Sequence, residues 1–147
     1  MRKHFELHNA SLLGVEYVHD EDIHKYGIVS TEVDSSGAYR VTNIVEKPAL
    51  KDAPSNLAVV GRYILTPEIF KKLSSSHISV GNELQLTDAI SSLIKEEPVY
   101  ALPFDGIRYD CGSKLGYLKA SVEYGLEHSE IGFEFSEYIK NIIRTIK

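Results

Sequence analysis

The chain has 147 residues, 43% hydrophobic and 25% charged, with a formal net charge of -5. That length and balance describe a globular protein with room for one real core, and the acidic surplus without a basic stripe argues against nucleic acid or an anionic membrane as partner. No apolar run approaches the ~20 residues of a membrane span, Met1 to Phe5 does not read as a secretory signal, and Cys111, the single cysteine, allows no internal disulfide and suits a reducing cytoplasmic setting.

Met1 to Asn9 reads as the last turns of a helix, stopped by Asn9 in the left-handed region. Ser11 to Val18 is a short, mostly apolar run expected to be a buried strand, and His19 to Lys25 is a charged surface loop. Tyr26-Gly27-Ile28-Val29 opens a second strand. Asp34-Ser35-Ser36-Gly37 is a turn signal that folds it back as a hairpin onto Val41 to Val45. Pro48 to Pro54 is a loop. Asn56 to Leu65 contains Leu57-Ala58-Val59-Val60 and then Gly61, and a glycine within a buried strand marks close approach by a ligand or another backbone.

Thr66 as N-cap and Pro67 at the first position start a helix with Ile69, Phe70 and Leu73 on one face, ended by Ser74 to Ser79. Asn82-Glu83-Leu84-Gln85 has capping-box spacing ahead of an amphipathic helix bearing Leu86, Ala89, Ile90, Leu93 and Ile94, which Pro98 closes. Val99 to Phe104 is a strand, Asp105-Gly106 is a hairpin turn signal, and Ile107-Arg108-Tyr109 leads to Asp110 at a further strand end. Ser113 caps a helix with Leu115, Leu118, Val122 and Leu126 on its apolar face. Residues 131–147 form a last helix. Its stripe of Phe135, Ile139, Ile142, Ile143 and Ile146 must bury against this domain or a second copy, and its charges, Glu134 and Glu137 early and Arg144 and Lys147 late, suit the helix dipole.

The stretch that organises the chain is Val45-Glu46-Lys47-Pro48, a carboxylate and an ammonium side by side where a strand leaves its sheet. Strand neighbours point to opposite faces, so the two are expected on different sides. Strand ends are where ligands bind in open α/β sheets; a lysine there suits a phosphate and a glutamate suits hydroxyls. An incidental surface pair is the other reading. Gly27 and Gly61 are either close to a ligand or tight-packing glycines, and Asp110 is either a site carboxylate or a helix-terminus carboxylate. Cys111 is expected to be a small buried residue. His4, His8, His19, His24, His77 and His128 are expected at the surface, with no pair at metal-ligand spacing.

Taken together, Lys25-Tyr26-Gly27-Ile28-Val29, Glu46-Lys47-Pro48, Ser55-Asn56-Leu57-Ala58-Val59-Val60-Gly61-Arg62-Tyr63, Gln85-Leu86-Thr87-Asp88-Ala89 and Arg108-Tyr109-Asp110-Cys111-Gly112-Ser113-Lys114 resemble the C-terminal half of bacterial UTP–glucose-1-phosphate uridylyltransferases. The resemblance runs from about Ala10 to the end, within the wider sugar-1-phosphate nucleotidyltransferases. It implies an α/β fold, the C-terminal half of a Rossmann-like (GT-A-like) nucleotidyltransferase domain with a mixed sheet flanked by helices. Residues 1–147 would then be a partial domain, the acceptor-sugar half, with 131–147 a helix used in packing or oligomerisation. It implies uridylyl transfer from UTP to glucose 1-phosphate, giving UDP-glucose and pyrophosphate. Lys47 would hold the sugar phosphate, Glu46 the sugar hydroxyls, Tyr26, Gly27 and Gly61 would line the hexose, and Asp110 would be a carboxylate for Mg2+; Lys47 and Asp110 would carry the catalytic roles.

The family's opening strand and its glycine-rich loop ending in Thr-Arg find no counterpart, because no Gly-x-Gly precedes Lys25. The chain is therefore expected to be inactive alone. Half a sheet is expected to expose an unpaired edge, which favours a homo-oligomer. The competing readings are a thymidylyl-type sugar nucleotidyltransferase and a non-catalytic sugar-phosphate-binding or oligomerising fragment. The Asp110 to Lys114 run speaks against the first.

Overall fold

The computed structural model describes residues 1–75 and 85–145. Their elements are α1 (Arg2–His8), β1 (Ser11–Tyr17), β2 (Gly27–Val33), β3 (Tyr39–Glu46), β4 (Leu57–Ile64), α2 (Glu68–Ser75), α3 (Leu86–Leu93), β5 (Val99–Pro103), α4 (Lys114–Glu127) and α5 (Gly132–Thr145). They form two units, Met1–Phe104 and Asp105–Lys147. Part of the capping box (Asn82 to Leu84), His77, Ile146 and Lys147 lie outside the described residues.

In the first unit, local chemistry sets the turns. Asn9 takes φ 45° at the end of α1, and its N–H donates to the Phe5 carbonyl. Asp34 folds β2 onto β3: its Oδ1 accepts the Ser36 and Ala38 N–H groups at 2.8 and 3.0 Å, and Gly37 follows at φ 84°. The expected loop over His19 to Lys25 is instead a 3-10 turn at Asp20–Lys25, which seats Ile23 in the core.

The sheet is mixed. β1 lies parallel to β5, while β1–β4, β4–β2, β2–β3 and β3–β5 are antiparallel. One face packs Leu13, Val15, Val29, Val41, Ile44, Leu57 and Val59 against Ile69 of α2 and Ala89, Ile90 and Leu93 of α3. Full burial of each valine, leucine or isoleucine among them contributes about 1.5–3 kcal/mol. On the other face Ile28 and Ala58 meet Ile23.

The expected unpaired edge is corrected. The strands run β1-β4-β2-β3-β5 and close on themselves, because the start of β3 pairs with β5 at Tyr39↔Ala101 and Arg40↔Tyr100. Twist and two register breaks give the curvature. Two helix expectations also change. Thr66 does not cap α2 with its side chain; its hydroxyl donates to the Glu97 carboxylate, and its N–H donates to the buried Ser11 hydroxyl at 3.0 Å. Phe70 turns away from the core and is exposed, while Ile69 is buried.

In the second unit the Asp105-Gly106 hairpin does not form, and among the described residues no strand follows it; the correction extends to Asp110, which lies in a turn ahead of α4. Ser113 caps α4 as expected, its hydroxyl accepting the Gly116 N–H at 3.0 Å. Leu115, Leu118, Val122 and Leu126 remain exposed rather than forming a buried face. α5 meets α4 where the Phe135 ring lies over Gly125: an added Cβ there would come within 2.7 Å of the ring.

Candidate functional site

β3 ends at Glu46, paired with Gly27 at the start of β2. Lys47 then leaves the strand with φ 43°, its N–H closing the ladder on the Tyr26 carbonyl at 2.9 Å, and Pro48 is buried beyond it. A non-glycine residue in that region costs roughly 1–2 kcal/mol, and such positions cluster at functional sites. The left-handed step also overturns the expectation of opposite faces. Lys47 Nζ swings to 4.0 Å from Glu46 Oε1, with the two side chains 63% and 33% exposed. An ion pair that long and that exposed contributes little, so both charges remain available to a ligand.

The Glu46 carboxylate is held from behind. Its Oε2 accepts the Thr87 hydroxyl of α3 at 2.6 Å. A Cβ on Gly27 would lie 3.1 Å from the same oxygen. Tyr63 of β4 is near enough for its phenol to feel the charge: burial first, and Glu46 second, push its pKa up, so it stays protonated as a potential donor. The structure thus brings together Tyr26, Gly27, Glu46 and Lys47 from the expected set. Tyr26 contributes its carbonyl and packs beside Ile23 and Ile28. Thr87 and Tyr63 were not foreseen in these roles. Their only sequence signal was membership of motif stretches, since the contacts arise from pairings far apart in the chain.

Gly61 is corrected in part. It lies in β4 but is exposed, at φ 70°, and an added Cβ would meet nothing within 4 Å. It is the centre of a bulge: Leu13 pairs with Tyr63 and Val15 with Val59, so Gly14 alone faces Val60, Gly61 and Arg62. The close approach expected at Gly61 falls at Gly14, where a Cβ would lie 3.0 Å from Arg62 Cβ and 3.2 Å from its carbonyl oxygen. β4 runs past the start of β2 after pairing Ile28 with Ala58, which puts Gly61 on the same end of the sheet as Gly27.

Asp110 belongs to the second unit. It is exposed; Oδ1 accepts the Gly112 N–H at 3.0 Å, and its carbonyl accepts the Ser113 N–H and hydroxyl. Gly116 makes this turn possible, since a Cβ there would sit 2.1 Å from the Asp110 carbonyl oxygen. Cys111 is exposed, which corrects the expectation of burial. Of the described histidines, His4, His19, His24 and His128 are exposed and His8 is half-buried, as expected; only the absence of a pair is corrected, because His4 and His8 stand one helical turn apart with stacked rings 6.3 Å between centroids. Among the described residues no group of three or more His, Cys, Asp or Glu gathers as a metal site, and no helix is long and apolar enough to cross a membrane.

Residues 1–126 match the family model described as "Nucleotidyl transferase". The chain belongs to that family. It is 43% identical over 149 aligned residues, 99% of its own length, to a UTP–glucose-1-phosphate uridylyltransferase of Haemophilus influenzae. A UDP-glucose pyrophosphorylase solved with UDP-glucose is 44% identical, with a TM-score of 0.77 over 83% of this chain and 46% of that one. The UTP-bound enzyme of Acinetobacter baumannii is 40% identical, with a TM-score of 0.80 over 100% of this chain and 49% of that one. The chain thus spans about half the length of the curated relatives it matches, 50% in the Haemophilus case. A nucleotidyltransferase-type α/β fold with a mixed sheet agrees with both the family match and the strand pairing.

Proposed function

We propose that the chain serves uridylyl transfer from UTP to glucose 1-phosphate and carries the acceptor-sugar side of that site, corresponding to the C-terminal half of such an enzyme. The observation behind the proposal is the Glu46–Lys47 corner. An ammonium and a carboxylate converge within 4.0 Å, one fixed by a left-handed backbone and the other by Thr87. The support from outside the chain is its 43% identity to a uridylyltransferase across nearly its whole length.

In this reading the Lys47 ammonium neutralises and orients the sugar phosphate. A free Glu46 oxygen accepts a hexose hydroxyl, and Tyr63 stands by as a donor. A phosphate oxygen of glucose 1-phosphate attacks the α-phosphorus of UTP and forms the new P–O bond. The α–β anhydride bond breaks, and its electron pair leaves with pyrophosphate. The attacking oxygen is already anionic near pH 7, the second phosphate pKa being about 6, so no side chain need remove a proton. The work left for the protein is positioning and charge neutralisation.

Asp110 fits a divalent cation, magnesium in this reading. It offers an exposed, hard carboxylate with one oxygen engaged by the Gly112 N–H, and magnesium characteristically takes one or two carboxylates and completes its shell with phosphate and water. Bound there, the ion would offset triphosphate charge. The exposed leucines of α4, Leu115 and Leu118, offer apolar surface for self-association into a homo-oligomer, which light scattering would detect.

The test is titration of glucose 1-phosphate into the chain, followed by amide NMR. Wild type should shift the Gly27 and Lys47 amides, and Lys47→Ala should weaken binding about tenfold or more, since a charge-assisted contact is worth about 1.5–3 kcal/mol. No binding to the wild-type chain would defeat the reading.

A further inference from the structure

The motif stretch Gln85-Leu86-Thr87-Asp88-Ala89 has a residue with no assigned role, and the structure supplies one. Thr87 stands in the first turn of α3, half-buried, and its hydroxyl reaches across the fold to Glu46 Oε2, 41 residues away, at 2.6 Å. Helical hydroxyls usually bond a carbonyl of their own helix. Ser74, Ser92 and Ser121 do so in this protein, at 2.8, 3.1 and 2.9 Å. Thr87 does not. From the first turn of α3 it gives its single proton to the Glu46 carboxylate instead.

The two Glu46 oxygens are thereby made unequal. Oε2 is occupied by Thr87 and backed by Gly27, whose missing Cβ would stand 3.1 Å from it and 3.7 Å from Thr87 Oγ1. Oε1 faces the Lys47 ammonium at 4.0 Å. Without the hold on Oε2, the carboxylate could rotate onto that ammonium and form a direct ion pair, satisfying each charge with the other instead of with a ligand.

We propose that Thr87 is a positioning residue: it pins Glu46 by Oε2 so that Oε1 is presented to a hydroxyl of the phosphorylated sugar, and it keeps Glu46 from closing onto Lys47. This rests on the reading of Glu46 and Lys47 as the sugar-phosphate corner. It adds a determinant of polyol recognition that acts through Glu46 without touching the ligand.

The experiment titrates the chain with glucose 1-phosphate and, separately, with inorganic phosphate, following amide shifts, in wild type, Thr87→Val, Thr87→Ala and Thr87→Ser. A thermal melt accompanies each variant. Valine keeps the shape and removes the proton, alanine covers the case in which valine packs badly, and serine restores the hydroxyl. The preference of wild type for glucose 1-phosphate over inorganic phosphate should fall about tenfold in Thr87→Val and Thr87→Ala, the size expected for one charge-assisted hydrogen bond. Thr87→Ser should recover most of it. In a Glu46→Gln background, Thr87→Val should have little further effect. An unchanged preference in both hydroxyl-free variants overturns the proposal, as does a loss that serine fails to recover, which would mark the residue as packing only. If wild type binds glucose 1-phosphate no better than inorganic phosphate, it is the reading of the corner itself that fails.

Discussion

Lys47 carries a backbone angle that favours glycine, with φ 43°. Glycine at this position would relieve that conformation, about 1 kcal/mol or more by the usual cost of a left-handed non-glycine residue. Lys47→Gly should therefore melt no lower than wild type while losing glucose 1-phosphate affinity about tenfold or more, the worth of a charge-assisted contact. Stability kept and binding lost would show that the lysine is there for its charge. A melt well below wild type would mean the ammonium or its stem holds the fold. Two glycines separate in the same way. Gly14 is buried, and a methyl there meets Arg62 backbone, which cannot yield cheaply; Gly27 faces the movable end of the Glu46 side chain. Gly14→Ala should cost about 1–3 kcal/mol in chemical denaturation. Gly27→Ala should cost little there and show its effect in sugar-phosphate binding. A reversal of the two results would dissolve the distinction between scaffold and site.

Among the elements, the β2–β3 hairpin is closed by its own turn, and the candidate corner hangs from it. Its turn depends on the ionised Asp34 carboxylate. The Ser36 hydroxyl donates to it at 2.6 Å and is the main cause that lowers its pKa from 3.8 to about 2, with the Ala38 and Ser36 N–H groups adding to it. A folded-state pKa below the unfolded value means that the contribution is whole above 3.8 and disappears as pH falls through about 2. The melting-temperature gap between wild type and Asp34→Ala should hence be constant at neutral pH and shrink on acidification through that window. A gap independent of pH would show that the turn does not use the charge. The other end of the hairpin, at Gly27 and Glu46, is the proposed sugar-phosphate corner, so loosening the turn should reach it only through strand register.

At the scale of the whole molecule, the closed sheet gives the first unit a core of its own between β1–β5 and the pair α2 and α3. The expectation of association through a sheet edge loses its basis, because the start of β3 covers β5. The relatives that share its sequence are about twice as long. Transition-state charge on a transferred nucleotidyl group needs several stabilisers, and the reading proposed above assigns two of them, Lys47 and Asp110, to this chain. The chain alone, given UTP, glucose 1-phosphate and magnesium, should therefore bind the sugar phosphate yet release no pyrophosphate above background in a coupled assay. Sustained turnover by a preparation free of host enzyme would refute this.

Several parts of this protein were legible in the residues alone: the Asn9 stop, the Asp34 turn, the core face of α3 with Ala89, Ile90 and Leu93, the Ser113 cap, and the charged pair at the end of β3. Each depends on a hydrogen bond or a periodicity spanning a few residues, which sequence spacing encodes directly. The tertiary structure decided the rest. It placed a bulge so that Gly14, rather than Gly61, is the tight approach, and it closed the sheet. It left Asp110 in a turn instead of at a strand end, and it carried Thr87 across 41 residues to Glu46. Those features follow from register between distant strands and from which helix packs over which strand end. Register is set by the summed fit of a whole face, a quantity that no short stretch contains.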